Sequence, residues 1–327
     1  MQDKKAFRIG PLVIKTTLVV LTFFFLYYEI FRKHDINELF EMYKASYHEH
    51  KWLYLLLFVL MLVNWAIETR KWVYLLGNGV RISFVKAFQA VWTGVAVSLF
   101  TPNRVGEFGG RLLFFKPENR VRSVSATLAG SVAQFMATIL FGVVCTSWYL
   151  VNAGNTDFEA GSWIYLLALG SLIIFLFLYF KLATISRWFE KRRWHKYISQ
   201  TFGVLSQYNR EQLFVNLWFS CMRYLIFALQ LGIAMFVLIE FYEFDLVFVA
   251  SVVGTYFLLQ TAIPSVALSE IGVRGAILAF LLIDSLPDKD LAPLILAGTL
   301  LWFVNIIIPA IFGAFFIFRT RISERTS

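Results

Sequence analysis

Charge, cysteine and histidine are all scarce in this sequence. Only 16% of its 327 residues are charged, against 59% hydrophobic. That balance excludes an ordinary soluble domain, which has no use for so much apolar surface. The two cysteines, Cys145 and Cys221, both fall inside apolar runs, so neither a disulfide framework nor a cysteine metal site is expected. Of the four histidines, His48 and His50 flank Glu49 in what reads as a mixed-charge loop, and a lone H-x-H lacks further ligands at usable spacing. No metal and no cofactor are therefore expected. There is also no H-x-E or nucleophile–base constellation at a membrane surface and no large extramembrane loop, so no catalytic residue is assigned. A ring-forming polar filter is missing too, which disfavours an ion channel.

What the chain has in abundance is long apolar runs, with a mean hydropathy of +0.67. A bilayer core about 30 Å thick demands about 20 such residues of a helix. Six runs meet that demand: Pro11–Phe31, Trp52–Leu76, Val121–Leu150, Ser162–Leu182, Leu213–Ile239 and Leu291–Phe318. The expected fold class is an all-α polytopic membrane protein forming one transmembrane domain over residues 1–327. Pro11–Phe31 follows a basic lead (Lys4, Lys5, Arg8) with no small-residue cleavage site after it, so it reads as a retained first span.

The net charge of +9 is carried by loops, which points to membrane orientation rather than to nucleic acid. Residues 183–212 hold Arg187, Lys191, Arg192, Arg193, Lys196 and Arg210 and read as a cytoplasmic linker. Within it, Arg187–Tyr197 mixes basic residues with Trp188, Phe189 and Trp194, as an interfacial segment on anionic headgroups would. The loops Val151–Gly161 and Glu240–Asp245 carry acids only and are placed outside. Both termini are basic and are placed in the cytoplasm.

Two segments, Phe84–Lys116 and Leu246–Leu286, consist of an apolar run, a Pro/Gly-rich polar break and a second short run. The first is flanked by basic residues on both sides, and Ala87–Phe100 is too short to cross. It reads as a re-entrant hairpin from the cytoplasm. The second has acidic flanks and reads as a hairpin from the outside. The chain then divides into halves 1–150 and 162–318, each ordered span, span, hairpin, span with opposite starting sides, an inverted-topology repeat. An eight-span reading is the alternative.

A motif supports the repeat independently. Pro102-Asn-Arg-Val-Gly-Glu-Phe-Gly-Gly-Arg111 has its counterpart in Pro264–Arg274, and both contain E-x-G-x-R: Glu107, Gly109, Arg111 and Glu270, Gly272, Arg274. Trp65 and Arg70 are echoed at the same separation by Trp218 and Arg223. Irregular backbone at membrane depth is tolerated only where protein or a water-filled cavity surrounds it. Pro102 and Pro264 would mark the hairpin tips, with Gly106, Gly109 and Gly272 allowing close backbone approach. With Arg104, Arg111, Arg223 and Arg274 nearby, such a site suits an anionic group such as a lipid phosphate. The competing reading is a local Glu-to-Arg pair at i, i+4 in each motif that merely holds helices together. Glu68, Arg70 and Lys71, near one end of their span, read as snorkelling residues. Gln89, Gln134, Gln230 and Asn305 read as interhelical hydrogen-bond partners.

At these motifs the chain resembles the lysylphosphatidylglycerol synthase transmembrane-region family, flippase-like integral membrane proteins, over nearly its whole length. Thr101–Glu107 followed by Arg111 is similar to the family's first signature, and Pro264–Ala276 to its second. Gly275 stands where many relatives carry the acid of the second motif, and Glu270 lies upstream of that place. The resemblance implies the translocating region without the aminoacyl-lipid synthase domain fused in some members, located in a bacterial cytoplasmic membrane. The expected function is a flippase or transporter for an anionic or zwitterionic lipid, phospholipid or polyprenyl-linked. Arg111 and Arg274 would pair with phosphate; Glu107 and Glu270 would position them, or bind a proton or an ammonium-bearing headgroup. The alternatives are a membrane enzyme acting on a polyprenyl phosphate or phospholipid, and a non-transporting scaffold. Beyond lipids, the partners left open are a second copy of the chain and a lipid-modifying enzyme.

Overall fold

The computed structural model describes residues 36–77, 79–99, 101, 104–153, 158–190, 196–239, 245–263, 270–282, 285 and 292–324. The described chain is helical throughout. Helix α1 is Ile36–Leu76, α2 Phe84–Ser98, α3 Gly106–Leu112, α4 Pro117–Ala153, α5 Phe158–Phe180 and α6 Leu182–Glu190. Then follow α7 Lys196–Leu205, α8 Arg210–Ile239, α9 Leu246–Ala262, α10 Glu270–Leu282 and α11 Ala292–Trp302. A π turn, Phe303–Ile307, joins α11 to α12, Ile308–Glu324.

Five segments are long and apolar enough to cross a bilayer: Tyr43–Leu76, Pro117–Asn152, Ala160–Phe180, Arg210–Leu238 and Pro293–Ile317. They correspond to the last five runs read from the sequence; Pro11–Phe31 lies outside the described residues. The chain is an all-α polytopic membrane protein. His48–His50 is not a loop but part of α1, which bends where His50 leaves helical geometry (φ −116°, ψ 26°). Apolar residues resume at once after the bend, and the helix is carried through it.

Local chemistry sets the boundaries. Gly77 ends α1 at φ 65°, a left-handed position open to glycine at no Cβ cost. Ser83 caps α2 by accepting from the Lys86 amide at 3.4 Å. Asn209 and Gln212 form a reciprocal capping box at the start of α8, at 2.7 and 3.0 Å. Helices α6 and α7, in the basic linker, pack on each other through stacked Phe189 and Phe202, and α7 docks on α4 where Ser125 Oγ donates to the Thr201 carbonyl.

The two broken segments fold as short packed helix pairs, α2 with α3 and α9 with α10. Helix α2 has 15 residues and α9 has 17, about 22 and 26 Å, both short of the hydrocarbon core. Helix α3 returns along α2, with Gly110 against Gly94 and Gly106 against Val97, and α10 packs on α9. Helices α3 and α10 begin at Gly106 and Glu270, where the motif reading places the returning arms. The packing is crossed. Helix α2 lies on α12, and α9 lies on α4, while α1 and α8 run antiparallel between them. In lipid no hydrophobic force drives helices together, so close backbone contact must do so. Gly313 of α12 sits directly on the Trp92 carbonyl of α2, and Gly254 of α9 sits against Cys145 of α4. Ala126, Ala129, Ala133 and Ala137 make α4 a smooth buried face at its centre.

A buried charge network and cavity at mid-depth

The α2–α3 reversal is held by Thr101. Its hydroxyl accepts from the Gly106 amide at 2.7 Å and donates to the Ser98 carbonyl at 3.2 Å. A Cβ at Gly106 would come within 2.5 Å of the Val97 carbonyl, and one at Gly110 within 2.7 Å of both Gly94 Cα and the Thr93 carbonyl. Gly109 differs from the expectation. It faces open space, with nothing within 4 Å of a built Cβ, because it lies on the side of α3 turned away from α2. Gly110→Ala is therefore expected to disrupt the hairpin and lower the melting temperature of purified protein. Gly109→Ala should be neutral or stabilise by about 0.5–1 kcal/mol through helix propensity.

From this hairpin Arg111 reaches into the centre of the protein. Its Nη2 donates to Glu68 at 3.0 Å and pairs with Glu107. Glu68 also takes Lys71 at 2.8 Å and Arg223 at 2.5 Å, so one carboxylate anchors three cations from three helices. Arg223 is further held by Asn64 Oδ1 at 2.7 Å and Gln134 Oε1 at 3.2 Å. Indole rings carry the guanidinium faces: Trp72 lies 5.0 Å from Arg111 and Trp65 5.4 Å from Arg223.

Glu68 and Lys71 correct the snorkelling expectation. They are 6% and 1% exposed and point into the bundle. Snorkelling needs an open helix end, and this one is closed: Leu75 and Leu76 are buried, and the Tyr208 hydroxyl donates to the Leu75 carbonyl. Arg70 is on the outside, over the Phe84 ring. The Trp65/Arg70 and Trp218/Arg223 echo does not mark equivalent positions, since Trp218 is 56% exposed while Trp65 and Arg223 meet. A different match in spacing joins the two helices. Asn64-x3-Glu68-x2-Lys71 faces Asn216-x3-Ser220-x2-Arg223 across the α1–α8 contact, and Lys71 Nζ donates to Ser220 Oγ at 3.4 Å. That spacing was the available signal for Glu68 and Lys71.

Beside the network lies a cavity of ≈ 370 Å³, within the usual range for ligand sites. Lys71, Arg104, Arg223 and Arg274 line it, against the carboxylates of Glu68 and Glu107. Gln134, Arg223 and Asn305, each about halfway along its span, set its depth. Arg104 adopts φ 57°, unusual for a residue with a side chain, so local strain is accepted to aim it here. Arg274 enters from α10, with its Nη1 donating to the Tyr256 hydroxyl at 3.2 Å and the Gln260 side-chain amide beside its guanidinium. Gly298 of α11 makes room for it, since a Cβ there would be 3.1 Å from Arg274 Cβ. Arg111 does not reach the cavity wall. Pro102 and Pro264 lie outside the described residues. Glu270 and Gly272 are the first and third residues of α10, and the description of them ends there.

Gln134 and Gln230 do bridge helices, Gln134 to α8 and Gln230 to the Leu57 carbonyl of α1. Asn305 does not: its amide donates only within its own segment, to Leu301, and its oxygen, in a residue that lines the cavity, has no partner.

Fold and site together define a polytopic helical membrane protein built around a cationic cavity. Residues 10–313 match the family described as the lysylphosphatidylglycerol synthase TM region, and the chain belongs to that family. No curated protein and no solved structure matches it.

Proposed function

We propose that the chain moves an anionic or zwitterionic lipid between leaflets, taking its phosphate into the mid-depth cavity. The observation that supports this is four cationic side chains against two carboxylates around a space of ≈ 370 Å³ inside a membrane domain. Charge at that depth is costly and is kept where a ligand or pathway uses it. Arg104, Arg223 and Arg274 face the phosphate. Glu107 and Glu68 hold Arg111, which ties the first hairpin to α1.

The crossed packing of α2 on α12 and α9 on α4 is the arrangement an inverted repeat produces, with α1–α4 corresponding to α8–α12. On this reading both short pairs are re-entrant hairpins, and rocking of one half against the other alternates access to the cavity. The family favours a bacterial cytoplasmic membrane, and the basic loops favour both termini inside. Transport, rather than chemistry, is the activity.

Leaflet exchange in proteoliposomes tests the proposal with phosphatidylglycerol, phosphatidylethanolamine, an aminoacylated lipid and a polyprenyl phosphate. Wild type should exchange one class selectively. Arg104→Gln, which keeps the backbone geometry and removes a charge-assisted contact, should slow that exchange by about tenfold or more at unchanged melting temperature. Exchange of no lipid, or equal rates in wild type and variant, would leave a scaffold as the better account.

A further inference from the structure

Between α11 and α12 the helix widens into the π turn Phe303–Ile307, with the Ile308 amide bonding five residues back to the Phe303 carbonyl. Pro309 explains the widening. It has no amide to give to Asn305, and in a regular helix its ring would strike the Asn305 carbonyl. The extra residue rotates the two arms relative to each other, and such turns recur at functional sites. Leu301, Trp302, Asn305 and Ile306 face the cavity, whereas Ile307, Ala310 and Ile311 face an apolar groove against α2.

Two residues that this turn brings to the cavity wall, Trp302 and Asn305, carry unpaired polar atoms. Asn305 is 3% exposed, and its Oδ1 has no hydrogen-bond partner. Its amide nitrogen is committed to the Leu301 carbonyl at 3.2 Å, which fixes which end of the side chain is offered. Trp302, also buried, leaves its Nε1 donor unpaired. The carboxylate and amide oxygens of Glu68, Glu107 and Gln134 are engaged by cations: Glu68 by three, Glu107 by Arg111 and Gln134 by Arg223. The Ser131, Thr138 and Tyr224 hydroxyls on the wall can donate as well as accept. A phosphate, which only accepts, satisfies Trp302 and the arginines but leaves Asn305 Oδ1 without a donor. A buried acceptor in that condition costs free energy until a donor arrives.

We infer that Asn305 is a specificity-determining residue that accepts a hydrogen bond from a hydroxyl of the headgroup, so that the cavity selects a polyol phosphate over a phosphate bearing no hydroxyl. A hydroxyl both donates and accepts, matching the Asn305 oxygen and the Trp302 indole N–H beside it. This inference rests on the headgroup reading of the cavity.

Phosphatidylglycerol and phosphatidylmethanol carry the same single negative charge and differ in the hydroxyls. Equimolar competition of the two for purified protein, read as bound-lipid ratio by native mass spectrometry, tests the inference. Wild type should retain phosphatidylglycerol about tenfold over phosphatidylmethanol, since a site built for a hydroxyl rejects the analogue lacking it. Asn305→Leu should bring the ratio to within about twofold by losing phosphatidylglycerol alone, and Trp302→Phe should lower it in the same direction. A ratio near one in wild type, or a preference that survives Asn305→Leu, overturns the inference. Arg104→Gln separates the two readings. If it weakens both lipids alike while wild type shows no preference, the headgroup site stands and the role of Asn305 falls. If it weakens neither, the anion site itself fails and the inference falls with it.

Discussion

Glu68→Ala is expected to destabilise the protein by about 3–5 kcal/mol, the cost of removing one partner from a buried ionic cluster, and to lower the melting temperature by roughly 10 °C. In the native network Glu68 accepts from Lys71, Arg111 and Arg223, and it is itself 6% exposed. Its removal leaves Arg111 with Glu107, but strips Lys71 and Arg223, both largely buried and both on the same Glu68 oxygen, of their counter-charge. Attraction within the cluster is offset by desolvation, so its net stabilisation is modest. An uncompensated pair of cations has no such balance. Thermal unfolding of the detergent-purified protein, followed by fluorescence-detected size exclusion, measures the effect. The double variant Glu68→Ala/Lys71→Met should recover part of the loss, because it removes one stranded charge along with the carboxylate. A melting temperature unchanged by Glu68→Ala would mean that Lys71 and Arg223 find water in this site, and that the network does not hold the fold.

The spans and the two interrupted segments were legible because a bilayer imposes a length on apolar runs and forbids unpaired backbone within them. Those constraints act on composition alone, so Val121–Leu150 predicts α4 and the break at Pro102–Gly106 predicts the α2–α3 reversal. The arginines of the site were legible for the same reason: Arg223 stands deep in an apolar run and needs a partner. What was not legible depends on the other side of a contact. Nothing in α1 says that its end is covered, and only Tyr208 on Leu75 turns Glu68 and Lys71 inward. Gly109 and Gly110 are identical in sequence, and only the position of α2 makes one open and the other indispensable. Asn305 reads as one more amide in a helix until Pro309 is seen to widen the turn around it.

Arg274→Ala is expected to reduce lipid exchange by about 10–150-fold, the range of 1.5–3 kcal/mol for a hydrogen bond to a charged group, while melting within a few degrees of wild type. Arg111→Ala should do the reverse in its primary effect, lowering stability first. The two arginines occupy the same place in the two E-x-G-x-R motifs, yet their surroundings differ. Arg111 is 1% exposed, committed to two carboxylates and stacked near Trp72, with no face on the cavity. Arg274 lines the cavity, where the Tyr256 hydroxyl and the Gln260 side chain help to orient it. A guanidinium on the cavity wall can meet a ligand directly, whereas one held behind the wall by two carboxylates acts on the fold first. Arg274→Lys keeps the charge but loses the planar fork, so it should fall between wild type and alanine. Exchange rates and melting temperatures of the three variants, measured on the same preparations, decide the assignment. Equal losses of exchange at equal stability in Arg111→Ala and Arg274→Ala would show instead that both motif arginines serve the lipid, as their matched spacing first suggests.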